Sequence, residues 1–183
     1  EAGTFAVAAA ITRGKVLIKR AAAEHMTSVL EKLTEIGIDV MVDERGITVS
    51  GSGRKRPTNI FVAPYPGFPT DMQAQFMALL ATVPGTSTIK ESIFENRFMQ
   101  AIELMRMGAD IMIEGDTAVI EGVRKLSGTY LMASDLRASS ALVLAGLAAK
   151  GTTVVRRIYH LDRGYEKFER KLRRLGARIR RAK

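Results

Sequence analysis

The sequence contains no cysteine, only two histidines, and aromatic residues at just 6 % of its 183 positions. Without cysteine there is no disulfide, no thiolate metal site and no cysteine nucleophile within these residues, which fits a reducing cytosol. His25 and His160, with no thiolate to join them, do not make a metal site, and His160 is expected to order the loop before Arg163. Long apolar runs are also missing. The longest, ALVLAGLAA at 141–149, is far short of the roughly 20 residues that span a bilayer. No charged segment followed by an apolar one opens the sequence, so no secretory signal is expected. GSGR at 51–54 lacks the spacing of a P-loop or dinucleotide motif and is expected to be a surface turn.

Hydrophobic residues make up 46 % and charged residues 26 %, ordinary values for a soluble globular chain of one domain. Twenty-eight Lys and Arg against 19 Asp and Glu give a net charge of +9, which calls for an anionic partner, either phosphate-bearing small molecules or nucleic acid. Ten of the 28 cations fall in residues 163–183, a basic C-terminal element.

The sequence repeats its organisation three times. Apolar stretches end at Gly14, Gly85 and Gly151 and run into strand-like KVLIKR, TSTIKES and TTVVRRI; amphipathic stretches then end at Gly37, Gly108 and Gly176. Strand-like IDVMV, ADIMI and ARIRR follow, and the first two continue through a turn into ITVSG and AVIEG. Met26, Val29, Leu33 and Ile36 share their i, i+3, i+7, i+10 spacing with Tyr165, Phe168, Leu172 and Leu175, the stripe of a helix buried on one face. In the middle repeat the register holds Arg97, Gln100, Leu104 and Met107, so Arg97 reflects either drift on a slightly rotated helix or a side chain facing a ligand.

The other three helices, around TFAVAAAIT, MQAQFMALLATV and LRASSALVLAGLAA, are apolar almost all round and belong inside. The expected fold is α/β (α+β), with three βαβαββ-like units at about 1–52, 58–122 and 123–183 arranged around a pseudo-threefold axis, buried helices surrounded by small sheets. NIFVAPY and GTYLMAS supply a strand before the second and third buried helices, and the strand due before the first is expected upstream of Glu1.

Threefold packing brings three helix N-termini to one end, where positive dipole ends and unpaired N–H groups form a seat for a phosphate-bearing ligand. Thr70, three residues before Gln73, fits a capping box, which leaves Asp71 in the first turn; Ser134 and Asp135, followed by Arg137, repeat the pattern. A first-turn aspartate complements the dipole by about 0.3–1 kcal/mol, or serves as a carboxylate that takes a hydroxyl proton. Arg163, in HLDRGYE, stands at the start of the third amphipathic helix where the other repeats have Glu24 and Glu95. It is either a solvated helix start or a bidentate clamp for phosphate or carboxylate.

FPTDMQAQF, IFENRFM, ASDLRAS and GTTVVRRIYHLDRGYEKFERKLRRLGA resemble the second half of the UDP-N-acetylglucosamine enolpyruvyl transferases, a family shared with the shikimate-pathway enolpyruvyl transferases. The resemblance runs from EAGTF over nearly the whole chain and is least telling over 41–57. It implies one inverse α/β prism of a two-domain enzyme, 1–183 being the second domain, with substrates bound between the domains. The implied reaction moves the enolpyruvyl group of phosphoenolpyruvate to the 3-hydroxyl of UDP-N-acetylglucosamine and releases phosphate, a cytoplasmic step of peptidoglycan synthesis needing no metal or organic cofactor. By motif, Asp71 contacts the sugar hydroxyl and transfers its proton, Ile93 and Phe94 line the sugar-nucleotide site, and Arg97 and Arg137 belong to the active-site arginines. Asp135 is their acidic neighbour, and Arg163 closes on phosphoenolpyruvate.

The family's loop cysteine, N-terminal lysine and remaining phosphate-binding arginines have no match here, so this chain alone is expected to be inactive and to hold the sugar nucleotide weakly at best. The partners implied are the two substrates and the other domain, with no nucleic acid and no membrane. A nucleic-acid module built on Arg170, Lys171, Arg173, Arg174, Arg178, Arg180 and Arg181, and a non-catalytic scaffold, are the alternatives; the first would show a steep salt dependence of binding.

Overall fold

The computed structural model describes residues 1–182. Its core is a trio of helices, α1 (Ala2–Ile11), α3 (Thr70–Leu80) and α5 (Leu136–Ala148), each packed on the other two. Burial is nearly complete over Gly3 to Ile11, Met72 to Leu80 and Ala138 to Ala145. Alanines at 6, 8, 9, 10, 74, 78, 138, 141 and 145 dominate these stretches, so the helices approach closely with little side-chain bulk between them. Phe76, fully buried, meets Phe68 edge-on at 4.9 Å.

Three helices on the flanks bury one side each: α2 (Thr27–Ile36), α4 (Met99–Arg106) and α7 (Phe168–Arg174). Val29, Leu33 and Ile36 are buried as their spacing predicts. Gly37 ends α2 with a left-handed φ of +95°, and a Cβ there would come within 2.5 Å of the Arg54 carbonyl, so glycine is required twice over. In the middle unit Gln100 takes an apolar position of the stripe yet is buried, because its amide donates to Gln73 Oε1 at 2.9 Å across to α3. The third unit departs most. The helix expected to start at Arg163 begins only at Phe168, as α7, after a separate short α6 (Tyr159–Asp162), and Leu175 just past its end is 52 % exposed rather than part of the buried stripe.

Strands β1 (Lys15–Lys19), β2 (Asp39–Asp43) and β3 (Gly46–Ser50) pair antiparallel in the order β1-β3-β2. β4 (Ile60–Val62), β5 (Thr86–Glu91), β6 (Asp110–Glu114) and β7 (Thr117–Glu121) repeat that arrangement, with β4 added parallel to β5. β8 (Tyr130–Met132) and β9 (Val154–Arg156) form a two-stranded parallel sheet. The architecture is therefore the mixed α/β one expected, buried helices within small sheets. ARIRR, expected as a strand, lies outside any strand. Its alternation has the right period, but no neighbouring strand pairs its backbone groups. Arg181 instead makes two bonds to Asp162, at 2.9 and 2.6 Å, and the guanidinium holds that carboxyl below its ordinary range.

Gly51 and Gly122 show how the repeats are locked to the core. The Gly51 N–H donates to Gly14 at 2.9 Å and the Gly122 N–H to Gly85 at 3.0 Å, so each β-pair closes back on the end of its unit's buried helix. A Cβ on Gly51 would lie 2.5 Å from the Ala9 carbonyl, and one on Gly122 would lie 1.5 Å from that of Val83. Gly51 is thus buried against α1 and is no surface turn. Gly51→Ala and Gly122→Ala are each expected to destabilise the protein by about 1–3 kcal/mol or more, since backbone must move to admit the methyl group. Thermal or denaturant unfolding checks this, and a neutral effect at both sites would contradict the packing.

Candidate functional site at the shared helix mouth

All three core helices point the same way. At the N-terminal end, a Cβ on Gly3 of α1 would touch Met72 of α3, and Asp71 of α3 is ion-paired to Arg137 of α5 at 2.5 Å. One turn further in, Thr4 and Tyr165 share a hydrogen bond at 2.7 Å, and the Gln75 amide donates toward both oxygens at 3.3 and 3.5 Å. This buried polar set fixes the α1 and α3 ends against the segment after α6, beneath the mouth. The orphan N–H groups and positive dipole ends of three helices therefore meet on one face.

The helix starts are not capped as predicted. Thr70 makes no capping bond; its hydroxyl donates to Glu91 Oε2 at 2.8 Å, and Gln73 is buried against Gln100 instead of reaching back. Asp71 does lie in the first turn, with its carboxylate free of capping and half-exposed. In α5 the cap is Asp135, not Ser134. Asp135 Oδ1 accepts the backbone N–H groups of Arg137 and Ala138 at 2.8 and 2.9 Å, and the Ser134 hydroxyl donates to Oδ2 at 3.1 Å. A carboxylate at the cap is the stronger acceptor and displaces the hydroxyl. The two aspartates are thus unlike: Asp135 sets the start of α5, while Asp71 presents its carboxylate outward.

Arg137 sits partly buried between Asp71 and Tyr165. Burial pulls its guanidinium down, but the Asp71 carboxylate and the Tyr165 oxygen outweigh that and leave it raised above the ordinary value. It remains a cation at any working pH.

Glu91, at the end of β5, ties the second wall of the mouth to α3. It is 3 % exposed, and while Oε2 accepts from Thr70, Oε1 accepts the N–H groups of Ile93 and Phe94 at 2.9 and 3.3 Å. One buried carboxylate thereby positions both the turn that carries Asp71 and the loop that carries Ile93 and Phe94. Those two apolar side chains stay 37 % and 52 % exposed, an apolar surface beside the helix ends. Arg97 lies in the turn before α4 rather than on the helix, with its guanidinium over the Phe94 ring at 5.1 Å. Sequence reasoning missed Glu91, although a carboxylate closing a strand two residues before IFENR was a readable signal.

Arg163 does not begin a helix. It ends α6, is exposed, and precedes Gly164, where an added Cβ would come within 2.7 Å of the side chain of Leu136, the first residue of α5. α7 starts only at Phe168, after Lys167 takes a left-handed φ of +47°, so the chain turns sharply between the two helices. His160 stacks on Tyr159 at 4.3 Å within α6, before Arg163. Asp71, Asp135, Arg137, Ile93, Phe94 and Arg97 are joined by direct contacts or through Glu91, and Arg163 reaches the same end through Gly164. Among the described residues, no cluster of His, Asp or Glu fits a metal ion.

Three of the seven cations of the nucleic-acid alternative are engaged within the chain. Arg181 pairs with Asp162 and Glu169, Lys171 with Glu1 at 2.9 Å, and Arg170 with Glu169 at 3.9 Å. No helix among the described residues is long and apolar enough to cross a membrane.

The family model described as EPSP synthase (3-phosphoshikimate 1-carboxyvinyltransferase) matches residues 1–172. Curated relatives named UDP-N-acetylglucosamine 1-carboxyvinyltransferase are similar over the whole chain. One from an Anaeromyxobacter species is 57 % identical and covered over 43 % of its length. Those from Geobacter metallireducens and Myxococcus xanthus are 56 % and 57 % identical, each covered over 44 %. The chain thus spans less than half the length of these relatives. Among solved structures, the enolpyruvyl transferase NikO from Streptomyces tendae superposes with a TM-score of 0.87 at 28 % identity, covering 97 % of this chain and 42 % of that one. EPSP synthase from Acinetobacter baumannii shares the fold, with a TM-score of 0.64 at 19 % identity over 84 % of this chain and 38 % of that one. A helix trio with aligned mouths, the motifs placed around those mouths and a match over 172 residues converge on one assignment: the chain belongs to the EPSP synthase (3-phosphoshikimate 1-carboxyvinyltransferase) family of enolpyruvyl transferases.

Proposed function

We propose that this chain is the second domain of a cytoplasmic UDP-N-acetylglucosamine 1-carboxyvinyltransferase, which moves the enolpyruvyl group of phosphoenolpyruvate to the sugar 3-hydroxyl in peptidoglycan synthesis. The observation that carries the reading is the Asp71–Arg137 pair bridging the N-termini of α3 and α5, where a carboxylate, a cation and two helix dipoles face one point. In the reaction the sugar oxygen adds to the enol carbon while its proton leaves and the methylene carbon gains one. Loss of phosphate and of a methyl proton then restores the double bond. Asp71 takes the hydroxyl proton, Arg137 steers that carboxylate, and Asp135 fixes Arg137 by capping its helix. Ile93 and Phe94 offer the sugar nucleotide an apolar wall, with Arg97 stacked behind. Arg163 and the helix mouths neutralise the phosphate and carboxylate of phosphoenolpyruvate.

The remaining cleft wall, with the other half of the active site, belongs to the part of the enzyme outside this chain. The chain alone is therefore inactive and binds the sugar nucleotide weakly.

Phosphate release from phosphoenolpyruvate, dependent on UDP-N-acetylglucosamine, tests the assignment in the full-length protein. Asp71→Ala is expected to lower turnover there by about two to four orders of magnitude, and near-normal turnover would remove Asp71 from the chemistry. Arg163→Ala should raise KM for phosphoenolpyruvate well above its effect on KM for the sugar nucleotide; equal effects would count against its placement. Glu91→Gln keeps the shape but weakens charge-assisted bonds worth about 1.5–3 kcal/mol. It should raise KM for the sugar nucleotide roughly tenfold with a smaller change in kcat. A fall in kcat with KM unchanged would mean that Glu91 does not position residues 93–94.

A further inference from the structure

The far end of the helix trio holds a cavity of about 970 Å3 that the proposed reaction does not use. Its wall is made by the C-terminal ends of α1, α3 and α5 and by the segments that follow β3 and β7. Six cations stand around it: Arg13, Arg54, Lys55, Arg56, Arg124 and Lys125. No carboxylate lines it. None of the six takes part in an ion pair among the described residues. The one hydrogen bond from their charged groups runs from Lys55 Nζ to the Gly51 carbonyl at 3.0 Å.

Cations near helix C-termini complement the dipoles there, but the quantities do not match. Three helix ends carry about −0.5 each, roughly −1.5 in all, which leaves most of six positive charges unanswered. The arrangement also follows the repeat. Lys125 lies three residues beyond Gly122 as Arg54 lies three beyond Gly51, and both glycines anchor their segments to a core-helix end. Arg13 adds a third approach by holding a left-handed φ of +58° directly after α1, a conformation L-residues adopt at a cost. Burial and the facing Arg13 pull the Lys55 ammonium below the ordinary lysine range, a repulsion that a bound anion would relieve.

We infer that this bowl, at the opposite end of the helices from the mouth, binds a small polyphosphate such as a nucleoside di- or triphosphate. The volume lies at the upper end of ordinary small-molecule sites. Ile11, Pro57, Pro84, Leu126 and Leu147 give an apolar floor for a ring beside the cations. α3, at 11 residues, puts the bowl about 16 Å from the mouth, so the two sites can be filled together. The inference does not depend on which reaction the mouth performs.

The test is titration of the full-length protein with inorganic triphosphate and with ATP at physiological salt, read by calorimetry and by backbone amide NMR shifts. With the mouth first saturated with UDP-N-acetylglucosamine, binding should move the amides of Gly51, Lys55, Gly122 and Lys125 and leave that of Asp71 in place. The Lys55→Glu/Arg124→Glu double variant should weaken it by about tenfold or more, since two phosphate contacts become repulsions. Arg163→Ala should leave the binding unchanged. Tighter binding of ATP than of triphosphate would assign the apolar floor to a base, and equal binding would assign the site to the phosphates alone. The inference is overturned if shifts are confined to the mouth, if charge reversal has no effect, if single phosphate binds as well as triphosphate, or if RNA binds this face more tightly than either probe.

Discussion

Everything in this structure depends on three helices being packed parallel and in contact, with like ends together. Alignment of this kind concentrates unpaired backbone groups and dipole charge at both ends, an arrangement that needs a compensating partner at each. Alanine-rich faces permit it by letting the helices approach closely, and the burial of Phe76, Met77, Leu79 and Leu80 supplies the apolar driving force. Gly51 and Gly122 then fasten the flanking sheets to the helix ends, so the orientation of the trio is not free to slide.

From that constraint the two ends acquire their characters. At the mouth, Asp135 satisfies the start of α5, while the start of α3 lacks a side-chain cap and displays Asp71 beside Arg137. Glu91 converts the geometry of β5 into the position of both Thr70 and the 93–94 loop, which makes a buried carboxylate the hinge pin between two walls of the site. At the other end the cations outnumber the dipole charge they face. The same repeat therefore builds an electropositive face at each end of one axis, by backbone at one and by side chains at the other.

Much of this was legible in the residues. Glycine spacing and all-round apolar helices gave the threefold organisation, because periodicity and burial are properties of the chain itself. FPTDMQAQF and ASDLRAS located the helix starts correctly, but which side chain caps them depended on what else lay within reach. Glu91 draws Thr70 away from its own helix, and Asp135 outcompetes Ser134 for the N–H groups. ARIRR failed for the same kind of reason, since strand pattern without a pairing neighbour does not make a sheet, and Arg181 found Asp162 instead. Gln100 was read as a polar departure from the stripe, yet Gln73 makes it part of the interior. The basic bowl was invisible because its six cations come from three separate segments that only the fold gathers.

The most direct test of the shared mouth is hydrogen exchange of the full-length protein before and after saturation with UDP-N-acetylglucosamine and phosphoenolpyruvate. Convergence of the helix starts predicts slowed exchange at 70–72, 93–97, 135–138 and 163–164 together, with residues 12–13, 82–84 and 147–148 unchanged. Protection at only one of those four segments, or protection at the opposite helix ends instead, would contradict it.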